Sequence, residues 1–309
     1  MKILLLGKQG QIGCAIYEQL KYKDEVIGLN RNQCDFRYHQ QIEYCISSIK
    51  PDLIINAAAY TNVDLAEDQE NEVFQINTIA PGFLAQKANL LNIPIVHFST
   101  DYVFDGKKEG AYIEEDLTHP LSVYARSKCE GERLIKLYQS KHFILRTSRV
   151  FSPYSDNFIK KIIRLTKEKD NLFVINDQYA APTSAKWIAK VTSLFIEKIK
   201  SNEAFDLYGT YHIALENSIS WWEYAQYIVK VLVDLNVAIK LKPSAIMPIN
   251  SSDYRQKALR PLHSKLDISK VKKTFVLEFP HWRKEVENTI NLIIQSSLHE
   301  KIECKKIPD

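Results

Sequence analysis

Three glycines in the stretch Gly7-Lys8-Gln9-Gly10-Gln11-Ile12-Gly13 follow an apolar run, Lys2–Leu6, and open a helical pattern. Glycine meets a separate need at each place: free backbone angles for a tight turn, room for a pyrophosphate to approach, and contact between helix and strand. The N–H groups of the helix start, together with its dipole, favour phosphate there. A glycine trio alone is weak, but a strand before it and a helix after it make a dinucleotide-binding loop. Gly7, Gly10, Gln11, Ile12 and Gly13 are therefore expected to hold a cofactor.

The first half of the chain has the periodicity such a loop requires. Candidate strands at Glu25–Leu29, Asp52–Asn56, Ile93–Phe98 and His142–Arg146 alternate with helical stretches near Gln11–Lys21, Val73–Asn92 and Ser122–Tyr138. This alternation predicts an α/β fold, a doubly wound parallel sheet of Rossmann type, with a smaller C-terminal substrate-binding lobe. The second half is less regular. A helix near Asn157–Lys169 precedes a short strand, Leu172–Ile175, and a helix begins after Pro182-Thr183. A strand-like run, Thr210–Ala214, leads into an aromatic-rich helix from Trp221, and the prolines of 240–264 predict loops over a cleft. The expected nucleotide-binding domain is 1–148 plus roughly 170–215, and the lobe is roughly 149–169 and 216–290. Residues 298–309 read as a frayed polar tail.

Composition excludes other classes. The chain is 45% hydrophobic and 25% charged with a net charge of +4, and its Lys and Arg are scattered, so nucleic acid is not an expected partner. Five cysteines without a Cys-x-x-Cys pair suit a reducing cytosol. The apolar start is too short for a signal sequence, and no run approaches the roughly 18 residues of a membrane span. A cytoplasmic protein without membrane contact is expected.

The end of the second strand selects the cofactor. An acidic residue there takes the ribose hydroxyls of NAD, and a base accommodates the extra phosphate of NADP. This chain has Asn30-Arg31, so NADPH is the expected cofactor, with NADH also accepted; Asp35 and Phe36 would flank the adenine.

Tyr124 and Lys128 stand four residues apart on a predicted helix, hence on one face. Ketone reduction by hydride needs an acid for the developing alkoxide, and a free phenol with a pKa of about 10 suits neutral pH poorly. Lowering it by about three units takes roughly 4 kcal/mol, which one ammonium at about 4 Å supplies in an effective dielectric of about 20. The spacing is cheap, since Tyr17 and Lys21 share it. The second pair follows the fourth strand, which ends His97-Phe98-Ser99-Thr100-Asp101, and reacting groups gather beyond strand ends in such sheets. Thr100 can offer its hydroxyl to the same carbonyl oxygen as Tyr124.

Together these features resemble the extended short-chain dehydrogenase/reductase family, and within it the dTDP-4-dehydrorhamnose reductase branch. The matching stretches are Gly7–Gly13, the run from Asn56 through Ala59, Tyr60 and Thr61 to Asp64, and Ser99 to Phe104. Arg146-Thr147-Ser148, Asn176-Asp177-Gln178, Ala181-Pro182-Thr183, Tyr211-His212 and Arg260-Pro261 with Ser264 follow in order. The resemblance implies NAD(P)H-dependent reduction of the C4 ketone of a nucleotide sugar, dTDP-4-dehydro-L-rhamnose, for deoxysugar and cell-surface polysaccharide synthesis. It makes Tyr124 the proton donor and gives Lys128 the nicotinamide ribose. It places Thr100 and Asp101 on the sugar and Ala59, Tyr60 and Thr61 along the cofactor cleft.

The chain departs from that branch in places. Arg149 stands where a tryptophan usually lies against the sugar; it keeps a substrate-binding position but removes an apolar wall. His263 replaces a usual asparagine and Ala180 a usual glycine. Some relatives join subunits through a metal held by carboxylates; Ala15 and Lys186 stand at those positions here, so no metal is expected, and any homodimer would lack a bridging ion. The alternatives are a reductase of a different 4-keto nucleotide sugar, or a non-catalytic NADP-binding regulatory subunit. Dehydratases usually show an acidic pair after the strand-four threonine, and here Asp101 is followed by Tyr102.

Overall fold

The computed structural model describes residues 1–304, the last eight by backbone alone. The tail expected to fray over 298–309 thus lies outside the residues whose side chains are described, and past Cys304 outside the described residues altogether.

Six strands form one parallel sheet: β1 (Lys2–Leu6), β2 (Glu25–Leu29), β3 (Leu53–Asn56), β4 (Ile95–Thr100), β5 (His142–Thr147) and β6 (Gly209–His212), in the spatial order β6-β5-β4-β3-β1-β2. Successive side chains alternate between faces. Ile3, Leu5, Leu53, Ile55, Val96 and Phe98 enter one apolar core, while Leu4, Leu6, Ile54 and Ile95 enter another on the opposite side. Covering both faces is what a parallel sheet requires, and it explains why these strands read as unbroken apolar runs. The strand order reverses between β1 and β3, which opens a crevice beyond their carboxyl ends.

Helices α1 (Gln11–Leu20), α2 (His39–Ile49), α3 (Ala80–Leu90) and α4 (Val123–Tyr138) connect the strands. The helix expected over Val73–Asn92 is not continuous: Glu70–Phe74 and α3 are separated by a π-helical turn, Gln75–Ile79. Pro81 lacks the N–H that would bond to the Asn77 carbonyl, so the ladder widens there. That carbonyl lies against α4, where a Cβ on Gly131 would come within 2.2 Å of it. Glycine at 131 thus seats α4, and with it Tyr124 and Lys128.

The rest of the chain outside this sheet includes three two-stranded pairs and the helices α5 (Phe158–Glu168), α6 (Ala185–Lys200), α7 (Trp221–Asp234), α8 (Ser269–Phe275) and α9 (Trp282–Cys304). Leu172–Ile175 pairs with Ile246–Ile249, so the stretch expected to be loops contains a strand. Its pattern was hidden because Pro248 interrupts the apolar run.

Candidate active site

The crevice at the reversal holds a cavity of about 460 Å³. Gly10, Gln11 and Ile12 line one side; Ala57–Ala59 and Thr61 follow β3; Thr100 and Asp101 follow β4; Tyr124 and Lys128 come from α4. Gly7 adopts φ +84°, and a Cβ on Gly13 would lie 2.1 Å from the Gly7 carbonyl oxygen. These two glycines therefore make the turn, and Gly10 is the one that faces the cavity. Gly10 caps α1 without a side-chain hydrogen bond, so first-turn N–H groups are available to an anion. Gln11 ties the loop to the second half of the chain: its Nε2 donates to the Val150 carbonyl, and its Oε1 accepts from Ser152 and Asn157.

Ser122 caps α4 and starts the helix just before Tyr124. Tyr124 is half-buried beside the edge of the Tyr102 ring, and Lys128 is 2% exposed. The Lys128 ammonium does not acidify the phenol in this arrangement. Burial holds the Tyr124 hydroxyl above its ordinary pKa, with a hydrogen bond from Thr100 opposing and the Asp101 charge adding to the rise. Lys128 is itself pushed down to about 8 by burial, against the attraction of Glu132. Its Nζ donates to the Phe98 carbonyl at 2.6 Å and lies 3.1 Å from His97 Nε2, so its polar head is engaged at the strand and not at the phenol. The expectation of a phenol made acidic by its lysine is thus corrected for the protein by itself.

Thr100 ends β4, and its Oγ1 accepts from the backbone N–H of Tyr102. The strand-end capping role and the cavity position therefore coexist. Asp101 is 2% exposed, and burial raises its carboxyl to about 6 while a hydrogen bond from Ser264 opposes the rise. That Ser264 Oγ donates to Asp101 Oδ2 at 2.5 Å, from 163 residues away in sequence, was not foreseeable from spacing.

Arg149 lines the cavity in a left-handed backbone conformation, φ +42°, which costs a non-glycine residue on the order of 1 kcal/mol or more. Its guanidinium donates to the carbonyls of Ile219 and Gln178 and lies 4.0 Å over the ring of Trp221. Those contacts use two of its five N–H donors and hold the guanidinium over Trp221, so Arg149 brings the cavity wall a stacked cation with donors to spare. Trp221 also lines the cavity. The aromatic stripe that begins there reads as core, and Tyr224 is core at 1% exposure, but Trp221 supplies an aromatic wall beside Arg149.

The adenosine end is mixed. Asn30 Oδ1 accepts from the N–H groups of Asn32 and Gln33, which shapes the turn after β2. Arg31 is exposed and pairs with Glu72 at 3.1 Å. Asp35 is buried and held by Arg37, which keeps its carboxyl below the usual range. Phe36 is 4% exposed and packed in the core. The Tyr60 hydroxyl donates to Gln69 at 2.7 Å, and Ala59 and Thr61 line the cavity.

Comparison with known proteins extends these observations. Residues 1–294 match the model of the RmlD substrate binding domain. The chain is 36% identical to a dTDP-4-dehydrorhamnose reductase from Sinorhizobium fredii, over 94% of this chain and 97% of that one. It superposes on the crystal structure of a dTDP-4-dehydrorhamnose reductase from Clostridium acetobutylicum with a TM-score of 0.86, at 32% identity over 95% of this chain and 99% of that one. A dTDP-4-dehydrorhamnose reductase from Bacillus anthracis, solved in complex with NADP, gives a TM-score of 0.83 at 30% identity, over 94% and 98%.

Proposed function

Because this chain belongs to the RmlD substrate binding domain family, we propose that it reduces the C4 ketone of dTDP-4-dehydro-L-rhamnose to dTDP-L-rhamnose with NADPH. The observation that carries the reading is one cavity lined at once by the glycine loop, by Thr100 at the end of β4, and by Tyr124 and Lys128 on α4. The cavity fits the cofactor: Gly10 leaves room where a side chain would intrude, and the uncapped start of α1 offers N–H groups to the pyrophosphate. Gly10, Gln11 and Ile12 would hold the phosphates, Ala59 and Thr61 the cleft wall, and Lys128 the nicotinamide ribose. A reduced nicotinamide supplies the hydride when bound.

The chain's own groups do the rest. The Tyr124 hydroxyl gives its proton to the oxygen formed at C4, and Thr100 donates a hydrogen bond to the same atom. Tyr124 is protonated in the unliganded protein, which is the form an acid must start in, and burial makes its proton harder to give until substrate and cofactor change its surroundings. Asp101, held by Ser264, faces the sugar. A second cavity of about 300 Å³ shares Trp221 with the first and is lined by Phe158, Lys161, Tyr254 and Arg260. Aromatic faces and cations together suit a base and a diphosphate.

The subunit is proposed to work without a bridging metal. Ala15 and Lys186, which offer no carboxylate, line one surface cavity, whose carboxylates are Glu18 and Glu285. No cluster of three or more His, Cys, Asp or Glu residues placed to hold an ion occurs among the described residues. No helix among them is long and apolar enough to cross a membrane, and a cytoplasmic setting is proposed. Following nicotinamide absorbance with dTDP-4-dehydro-L-rhamnose tests the reading: net consumption of NADPH is expected. A recycled cofactor would instead indicate a dehydratase or epimerase, and no turnover on any 4-keto nucleotide sugar would favour a regulatory subunit. Running other 4-keto sugars alongside reads out the effect of Arg149.

A further inference from the structure

Behind Lys128 lies a chain of buried groups that the reduction itself leaves unused. Asn56, the last residue of β3, and His97, on β4, are both fully buried and stand in register across the sheet. The backbone N–H of Ala58 donates to Asn56 Oδ1 at 3.1 Å. The other end of that amide is therefore its NH2, which donates to His97 Nδ1 at 3.0 Å. Burial and the neighbouring Lys128 hold the His97 ring well below its ordinary pKa, so it is neutral. A neutral imidazole has one N–H and one lone pair. With the lone pair taken at Nδ1, the hydrogen sits on Nε2, which faces Lys128 Nζ at 3.1 Å. An ammonium has three donors and no acceptor, so facing an N–H it gains no hydrogen bond there; an uncharged amine in the same place accepts one. The Phe98 carbonyl, the other partner of Nζ, suits both forms.

We propose that Asn56 and His97 are positioning residues that present an N–H to Lys128, oppose its protonation, and so set the alkaline limit of the reduction. The effect on turnover rests on the reductase reading above; the tautomer does not. Burial acts on Lys128 in the same direction, and Glu132, one turn along α4, acts against it. The other charged and titratable groups nearby are Tyr124 one turn before, Arg146 on β5, which holds Glu132, and Asp101 beyond β4.

Nitrogen-15 NMR of the histidine rings in the unliganded protein tests the first half directly. The hydrogen of His97 is expected on Nε2 throughout the neutral range; an Nδ1–H tautomer or an imidazolium overturns the proposal. If the tautomer holds and no 4-keto sugar is reduced, the reductase reading has failed and not this one. Asn56→Asp tests the second half. Its carboxylate keeps the bond from Ala58 but can only accept, so it draws the proton to Nδ1 and leaves a lone pair for the ammonium. The alkaline limb of kcat/KM is expected to move up by about one pH unit or more. In Asn56→Asp/His97→Phe that shift should fall to less than half. An unmoved limb, or an equal shift without the imidazole, contradicts the proposal. Should neither variant fold, the NMR measurement decides alone.

Discussion

Helix α1 with its C-cap residue Lys21, and helix α4, each carry a tyrosine and a lysine four residues apart, and they share little else. On α1, Lys21 pairs with Glu18 at 2.6 Å near the surface, which raises its pKa, and the Lys8 ammonium lies 3.7 Å over the Tyr17 ring. On α4, Lys128 is buried against the end of β4, its pKa is pushed down to about 8, and Tyr124 shares a cavity with the glycine loop. The same separation on a helix thus gives a solvated packing pair in one place and a candidate proton donor with its partner in the other. What differs is the strand end below and the removal of water.

The comparison can be broken by matched substitutions, beginning with the largest effect. Tyr124→Phe is expected to lower turnover by about 10²–10⁴, the usual cost of a lost general acid, with NADPH affinity largely kept. Tyr17→Phe should stay within about twofold, because surface changes away from special features do little. Steady-state rates and cofactor titrations of the two variants check this.

The carboxylates near each lysine should separate next. Glu132 grips Arg146 through two hydrogen bonds, at 2.9 and 2.7 Å, with both side chains buried. Glu132→Gln leaves a buried guanidinium without its counter-charge and is expected to destabilise the fold by about 3–5 kcal/mol. Glu18→Gln, at an exposed pair, should cost about 0–1 kcal/mol. Denaturant titration compares them.

Lys128→Met should weaken NADPH binding by about 10- to 100-fold, the worth of a hydrogen bond to a charged group, whereas Lys21→Met should leave it unchanged. Titration of cofactor fluorescence reads both.

The smallest effect is a pH limb. A lysine lowered to about 8 is an ammonium below that pH and an amine above it. If the ammonium is the working form, kcat/KM should fall as pH rises through about 8, by about tenfold per unit beyond it. A profile flat to pH 10 would mean that Lys128 acts without its charge.

The parts of the molecule that were legible in the sequence are those built from local pattern. The glycine loop, the apolar strands and the strand-four ending could be read because turn chemistry and unbroken apolar runs leave local marks. Other features depend on partners far along the chain. The π-turn at Gln75–Ile79 follows from Pro81 meeting Asn77, which a helical periodicity does not display. The strand Ile246–Ile249 exists because Leu172–Ile175 pairs with it. Phe36 and Tyr60 sit at positions that suggested the cleft; their own partners, the core around Phe36 and Gln69 on the Tyr60 hydroxyl, emerge from the fold. Residue spacing suggested an ammonium that acidifies Tyr124; only coordinates show that Lys128 donates to the Phe98 carbonyl instead, with the His97 ring beside it. The resemblance to a family located Arg149 as a departure, but its stacking on Trp221 emerges from the fold.

A single-turnover reaction of the purified protein with NADPH and dTDP-4-dehydro-L-rhamnose, run beside Tyr124→Phe, shows in one experiment whether this ketone is reduced and whether Tyr124 supplies the proton. One equivalent of NADPH should be consumed and dTDP-L-rhamnose should form, with the variant binding NADPH but slowed at least about a hundredfold. Unchanged turnover in the variant would remove Tyr124 as the proton donor, and no reduction by the unaltered protein would remove the reductase activity itself.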